Sequence, residues 1–137
     1  MFLKRTLLFN VKIRSVLEYS SPVFTSMLTQ QNIDDIERIQ KISLKVILNE
    51  RYENYEQACT LMNTESLELR RKSLALKFAL KCLKSDIHKT MFKQRISPYY
   101  KLRNIKSFEE PFCRSERYLS SPIPYLTRLL NEHFAKQ

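Results

Sequence analysis

The sequence predicts an all-α protein: a small irregular bundle of four to five helices, with a proline-containing, partly extended C-terminal segment. Three observations carry that expectation. Apolar residues recur at helical spacing over several stretches, and good capping residues precede most of them. The strict alternation that a half-buried strand needs occurs nowhere. At 137 residues and 43% hydrophobic content the chain is long enough and apolar enough for one modest core.

The elements follow in order. Residues 2–19 read as a helix with Leu3, Leu7, Leu8, Val11 and Val16 among its apolar positions, stopped at Ser20-Ser21-Pro22 because proline disfavours helix in the residue before it. A second helix runs from about Gln31 to Leu48. Ile33, Ile36, Ile39, Leu44, Val46 and Ile47 fall on one side of it, and Asp34, Arg38, Lys41 and Lys45 on the other. Thr29 or Asn32 is suited to cap it, and Asp34–Arg38 and Glu37–Lys41 have the favourable i,i+4 order. A shorter helix follows Asn54 through Tyr55, Ala58, Leu61 and Met62. Asn63 then stands where a left-handed residue ends it.

Ser66 caps a long helix over 67–84. On an ideal wheel Lys77, Lys81 and Lys84 lie within about 40° of Arg70, while Leu69, Ala75, Leu76, Phe78, Ala79, Leu80, Cys82 and Leu83 fill most of the remaining circumference. The expectation is a largely buried helix with one narrow basic stripe. Beyond His88 the periodicity weakens. Pro98, Pro111 and Pro122, with Tyr99, Tyr100 and Phe108, suggest an extended segment, and a last short helix starts near Pro124 with Leu126, Leu129, Leu130 and Phe134 along one face. The organisation expected is a helical region over 1–97 and an extended segment over 98–137 ending in a helix.

Glycine is absent, which removes every Gly-rich phosphate loop and with it nucleotide binding by a P-loop or dinucleotide fold. The net charge of +10 is uneven. From Arg70 to Lys106 the only acid is Asp86, a block that needs a polyanionic partner or extensive solvation. Cys59, Cys82 and Cys113 are odd in number and widely spaced, so a disulfide framework is not expected and an intracellular, reducing compartment is, nuclear or cytoplasmic. No apolar run approaches the ~20 residues of a membrane span. Lys4, Arg5, Lys12 and Arg14 all precede the first acid, Glu18, as in a mitochondrial presequence, although the motif blocks below account for them better.

Catalytic and metal chemistry find no support in the spacing. No cysteine pair has ligand spacing, neither His88 nor His133 has a histidine or cysteine neighbour at ligand distance, and no cofactor motif is present. Asp34-Asp35 could in principle hold the metals of phosphoryl transfer. Its place at the start of a strongly amphipathic helix fits dipole complementation instead.

Five blocks then fall into a pattern. Arg14-Ser15-Val16-Leu17-Glu18-Tyr19-Ser20-Ser21-Pro22-Val23-Phe24 resembles the Arg-x-x-Leu-Glu-Tyr-(Ala/Ser)-x-Pro-Val-Trp signature that follows the palm in non-LTR, jockey-type retrotransposon reverse transcriptases. Ile36-Glu37-Arg38-Ile39-Gln40-Lys41 is similar to the family's next helix. Tyr52 to Leu61 is similar to its Tyr-x-x-Tyr segment, and Ser66-Leu67-Glu68-Leu69-Arg70-Arg71 to its Ser-Leu-x-x-Arg-Arg. Arg114 to Tyr118 and Ser121 to Asn131 resemble its C-terminal tail. Phe24 departs from the usual tryptophan and Asn63 from a common glycine.

The resemblance implies the thumb and post-thumb part of such a polymerase, without the catalytic palm: not an enzyme by itself, and without catalytic, metal or cofactor residues. It also implies a nucleic-acid partner, a template–primer duplex or structured RNA, touched at its backbone rather than its bases. Arg70, Arg71, Lys77, Lys81 and Lys84 are the candidates for those contacts, with Arg71 pointing toward the apolar side of the wheel. The alternatives are a helical protein–protein interaction module, self-associating or docking on a palm, and a fossil reading frame without function.

Overall fold

The computed structural model describes residues 2–96 and 106–136. Pro98, Tyr99, Tyr100 and the expected boundary between residues 97 and 98 lie outside the described residues. The class is all-α, as expected. Among the described residues there is no strand, only an isolated antiparallel bridge between Gln94 and Phe108. Eight α-helical segments are described: α1 (Phe2–Leu8), α2 (Ser15–Glu18), α3 (Ser21–Phe24), α4 (Gln30–Leu48), α5 (Tyr55–Leu61), α6 (Leu67–Lys84), α7 (Glu116–Leu119) and α8 (Pro122–Phe134). The chain forms two compact units. Unit 1 comprises Met1–Ser21 and Leu28–Lys72, and unit 2 comprises Pro22–Met27 and Ser73–Gln137.

Unit 1 is built on α4. Thr29 Oγ1 accepts from the Asn32 amide at 3.3 Å to start the helix, and Asn49 ends it with φ 50°. In a chain without glycine, positive φ among the described residues falls on Ser20, Asn49 and Asn63, two of them asparagine, which tolerates that region better than most residues. The core joins Phe9, Leu44, Ile47, Leu48, Ala58 and Met62. Burying side chains of that size is worth roughly 1.5–3 kcal/mol for each of the larger ones.

The first helical stretch, residues 2–18, buries a residue that its apolar pattern does not single out. Leu7, Leu8, Val11 and Val16 are exposed, and the buried anchor is Phe9. The reason is local: Phe9–Arg14 forms π-helical turns between α1 and α2, which insert residues relative to the 3.6 period and rotate the faces before and after them. A uniform 3.6-residue period therefore does not describe residues 2–19 as one continuous face.

Unit 2 packs Ala75, Ala79 and Cys82 of α6 against Phe92, Phe108 and the Leu126, Leu129 and Leu130 face of α8. The last helix starts two residues earlier than expected, with Pro122 in its first turn, where a missing N–H costs nothing. The extended stretch before α7 is fastened at Phe108. Asn131, itself buried, accepts from the Phe108 amide at 2.9 Å and donates to the Phe108 carbonyl at 3.2 Å. Around the bridge, the Arg95 amide donates to Ser107 O and the Glu109 amide to Lys93 O, both at 2.9 Å.

The helix over 67–84 is confirmed in its bounds and in its Ser66 cap, which accepts from the Leu69 amide at 3.3 Å. It is less buried than its wheel suggested: Leu69 and Phe78 are exposed, and Leu67, Ala75 and Ala79 are fully covered. No helix among the described residues is long and apolar enough to cross a membrane.

Candidate nucleic-acid interface

The five cationic side chains singled out in α6 have three different fates. Lys77, Lys81 and Lys84 belong to unit 2, are exposed, and have no acidic partner among the described residues. Their i, i+4, i+7 spacing places them on one helical face. Seven residues of helix rise by about 10 Å, a length over which duplex DNA presents about six phosphate charges. Three contacts therefore fit on one face.

Arg70 and Arg71 belong to unit 1 and depart from the expectation. Arg71 is buried, 1% exposed, so as folded it offers nothing to a phosphate outside. Arg70 is half-buried and its Nε donates to Glu18 Oε1 at 3.2 Å. Arg14 donates from its own Nε to the same carboxylate at 2.7 Å. Two guanidinium groups thus flank one carboxylate.

The residues behind the family resemblance turn out to be engaged with one another inside unit 1. Glu37 accepts from the Tyr55 hydroxyl and, at 3.2 Å, from the Leu67 amide at the start of α6. Gln40 is fully buried and donates from Nε2 to the Tyr55 hydroxyl at 2.9 Å and to the Glu65 carbonyl at 3.0 Å. The Lys41 ammonium sits 5.1 Å from the Tyr55 ring centroid, a cation–π distance. Burial raises the Tyr55 hydroxyl pKa well above its ordinary value, and the bond to Glu37 raises it further, so the group stays a neutral donor. From sequence, Glu37 pairs with Lys41 and Gln40 belongs only to the block that resembles the family's helix, with no contact assigned to it. A glutamine within an apolar arc, one turn from a glutamate, is the signal that could have shown a buried polar connection.

The sequence charge divides with the two units. Unit 1 has 11 basic and 9 acidic side chains, unit 2 has 13 and 5. Within unit 2 Lys89 pairs with Asp86 and Lys106 with Glu110. Lys106 and Asn131 hold the Glu110 carboxyl below the usual carboxylate range, against the opposing effect of burial. Asp34 and Asp35 lie in the second turn of α4 rather than the first, both exposed, with Asp34 accepting from the Gln30 side chain at 3.1 Å. Among the described residues no group of three or more His, Cys, Asp or Glu side chains is placed to hold a metal ion. His88 is exposed and bonded to Ser85, Cys82 is core, and all three cysteines are free.

Comparison of the chain with family models, with curated proteins and with solved structures finds no match.

Unit 1 also carries an apolar groove of ≈ 370 Å³, lined by Leu8, Phe9, Ile13, Ile42, Val46 and Ile47. Leu8, Ile42 and Val46 are more than half exposed there.

Proposed function

We propose that this chain is a non-catalytic, nucleic-acid-associated helical region of the kind that follows the palm in non-LTR reverse transcriptases, and that it holds nucleic-acid backbone through Lys77, Lys81 and Lys84. The observation that carries the reading is the exposed, acid-free lysine face of α6 in the unit with 13 basic against 5 acidic side chains. The five ordered motif blocks support the family part of it, because four of them supply the polar residues that unit 1 uses internally: Arg14 and Glu18, Glu37 and Gln40, Tyr55, and Arg70.

Lysines act on phosphates as point charges and read no base edges. Two duplexes of equal length and unrelated sequence should therefore bind the chain equally, with affinity falling steeply between ~50 and ~200 mM salt. Fluorescence anisotropy with the labelled duplexes measures this. A clear preference for one sequence, or binding indifferent to salt, would overturn the reading.

The apolar groove of unit 1 favours a second reading, a helical interaction module that docks on protein. It predicts concentration-dependent self-association in sedimentation experiments, abolished by Val46→Lys. A monomeric chain at every concentration would count against it.

A further inference from the structure

We propose that unit 1 contains a phosphate-binding recess, formed by Arg14, Arg70 and Thr64 and separate from the lysine face of α6. The recess measures ≈ 340 Å³ and is also lined by Thr60, Asn63 and Glu65, at the small end of the ~300–1,000 Å³ range of ligand sites.

The arginines are set up for a second acceptor. Both donate Nε to Glu18, at 2.7 and 3.2 Å, and both line the recess, so the terminal Nη donors of two guanidinium forks are left for a further acceptor. The Arg14 side chain is only 13% exposed and that of Glu18 15%. The pair is therefore only partly hydrated, a setting in which a charge-assisted hydrogen bond is stronger than in open water. One carboxylate between two guanidinium groups leaves an excess positive charge at its centre.

Thr64 supplies an independent sign. Its Oγ1 is buried and has no hydrogen-bond partner among the described residues. The turn that presents it is fixed: Asn63 is left-handed at φ 48°, its amide donates to Thr60 O at 3.1 Å, and the Thr64 amide donates to Cys59 O at 2.8 Å. Both backbone donors are occupied, so the hydroxyl is the unused group of the residue that lines the recess. An oxyanion with several acceptor atoms satisfies the Nη groups and the hydroxyl together. Tetrahedral phosphate matches guanidinium bidentately. Glu65 limits the choice: its carboxylate, exposed on the recess lining, opposes an anion and keeps the affinity modest.

None of this depends on the lysine face, and the two fail separately. The phosphate group could belong to a free small phosphate or to the 5′ end of a nucleic-acid strand. The test is an NMR titration of the full chain with inorganic phosphate, following the Asn63 and Thr64 amides, then competition by a duplex with and without a 5′-phosphate. The expected result is saturable one-site binding centred on those amides. It should weaken about tenfold or more in Arg14→Gln and several-fold in Thr64→Val, roughly the loss of one charged and one neutral hydrogen bond. Glu65→Gln should tighten it. Because Arg14→Gln also strips Glu18 of a partner, Thr64→Val and Glu65→Gln keep the test clear of folding defects. Competition favouring the 5′-phosphorylated duplex assigns the source to strand ends, and equal competition assigns it to small phosphates. Absence of saturable binding, or equal binding by wild type and all three variants, overturns the proposal.

Discussion

The two units treat charge in opposite ways. Unit 1 carries 11 cations and 9 anions and engages several of them within the fold: Arg14 and Arg70 on Glu18, Tyr55 and the α6 amide on Glu37, and the exposed Lys41 over the Tyr55 ring. Unit 2 carries the larger excess, packs a core of apolar residues, and leaves the lysines of α6 in solvent. A net charge of +10 is thus two quantities, one invested in the fold and one available to a partner. Removing a charge that is paired within the fold should cost stability in unit 1, and removing the α6 lysines should cost duplex binding in unit 2.

The largest expected effect lies in the apolar core. Leu130 is fully buried against α6 residues in unit 2, and Leu130→Ala should destabilise the protein by about 2–5 kcal/mol in urea unfolding. Its counterpart in unit 1 is a polar change. Glu37→Gln removes the charge on which the Tyr55 hydroxyl and the Leu67 amide converge, and should cost about 1–3 kcal/mol. Lys81→Gln in unit 2 should stay within about 0.5 kcal/mol of wild type. Equal losses for Glu37→Gln and Lys81→Gln in the same urea series would erase the distinction between the units.

Smaller effects separate the units by pH. Tyr55 has a folded-state pKa raised above the ordinary 10.0. Its contribution is fully present below that value and is lost as the pH climbs toward the folded pKa, because only the unfolded chain then ionises it. Thermal melts above about pH 10 should fall more steeply for wild type than for Tyr55→Phe. In unit 2 the Glu110 carboxyl is depressed by Lys106 and Asn131. Its contribution holds above the ordinary carboxylate range and fades as pH drops through the folded pKa. The pair is part-exposed, so Glu110→Gln should differ from wild type only slightly at neutral pH and not at all in strong acid. A Glu110→Gln deficit that persists unchanged into strong acid would contradict that origin.

Much of the fold was legible because its signals are local. Thr29, Asn54 and Ser66 cap the helices where the sequence placed them, and Asn63 takes its left-handed position. The buried face of the first helix was not legible, because a π-turn changes the period without a residue type that announces it. The candidate site was half legible. Charge and spacing found Lys77, Lys81 and Lys84, but Arg70 and Arg71 are decided by tertiary partners and burial, which no helical wheel contains. Gln40 and Tyr55 were hidden for the same reason, their partners lying 15 and 25 positions apart along the chain.

The central claim is that the lysine face of unit 2 contacts nucleic-acid phosphates while the exposed cations of unit 1 do not. Salt dependence of duplex binding tests it most directly. Three phosphate contacts add about 2.7 to the magnitude of the log–log slope, at ~0.9 per phosphate. The Lys77→Gln, Lys81→Gln, Lys84→Gln triple variant should flatten the wild-type slope by about that amount and keep its helicity, glutamine being a good helix former. The matched Lys12→Gln, Arg38→Gln, Lys45→Gln variant, all exposed positions of unit 1, should leave the slope nearly unchanged. Equal flattening by both triples would mean that net charge alone attracts the duplex, and an unchanged slope in the unit 2 triple would remove the lysine face from the interface.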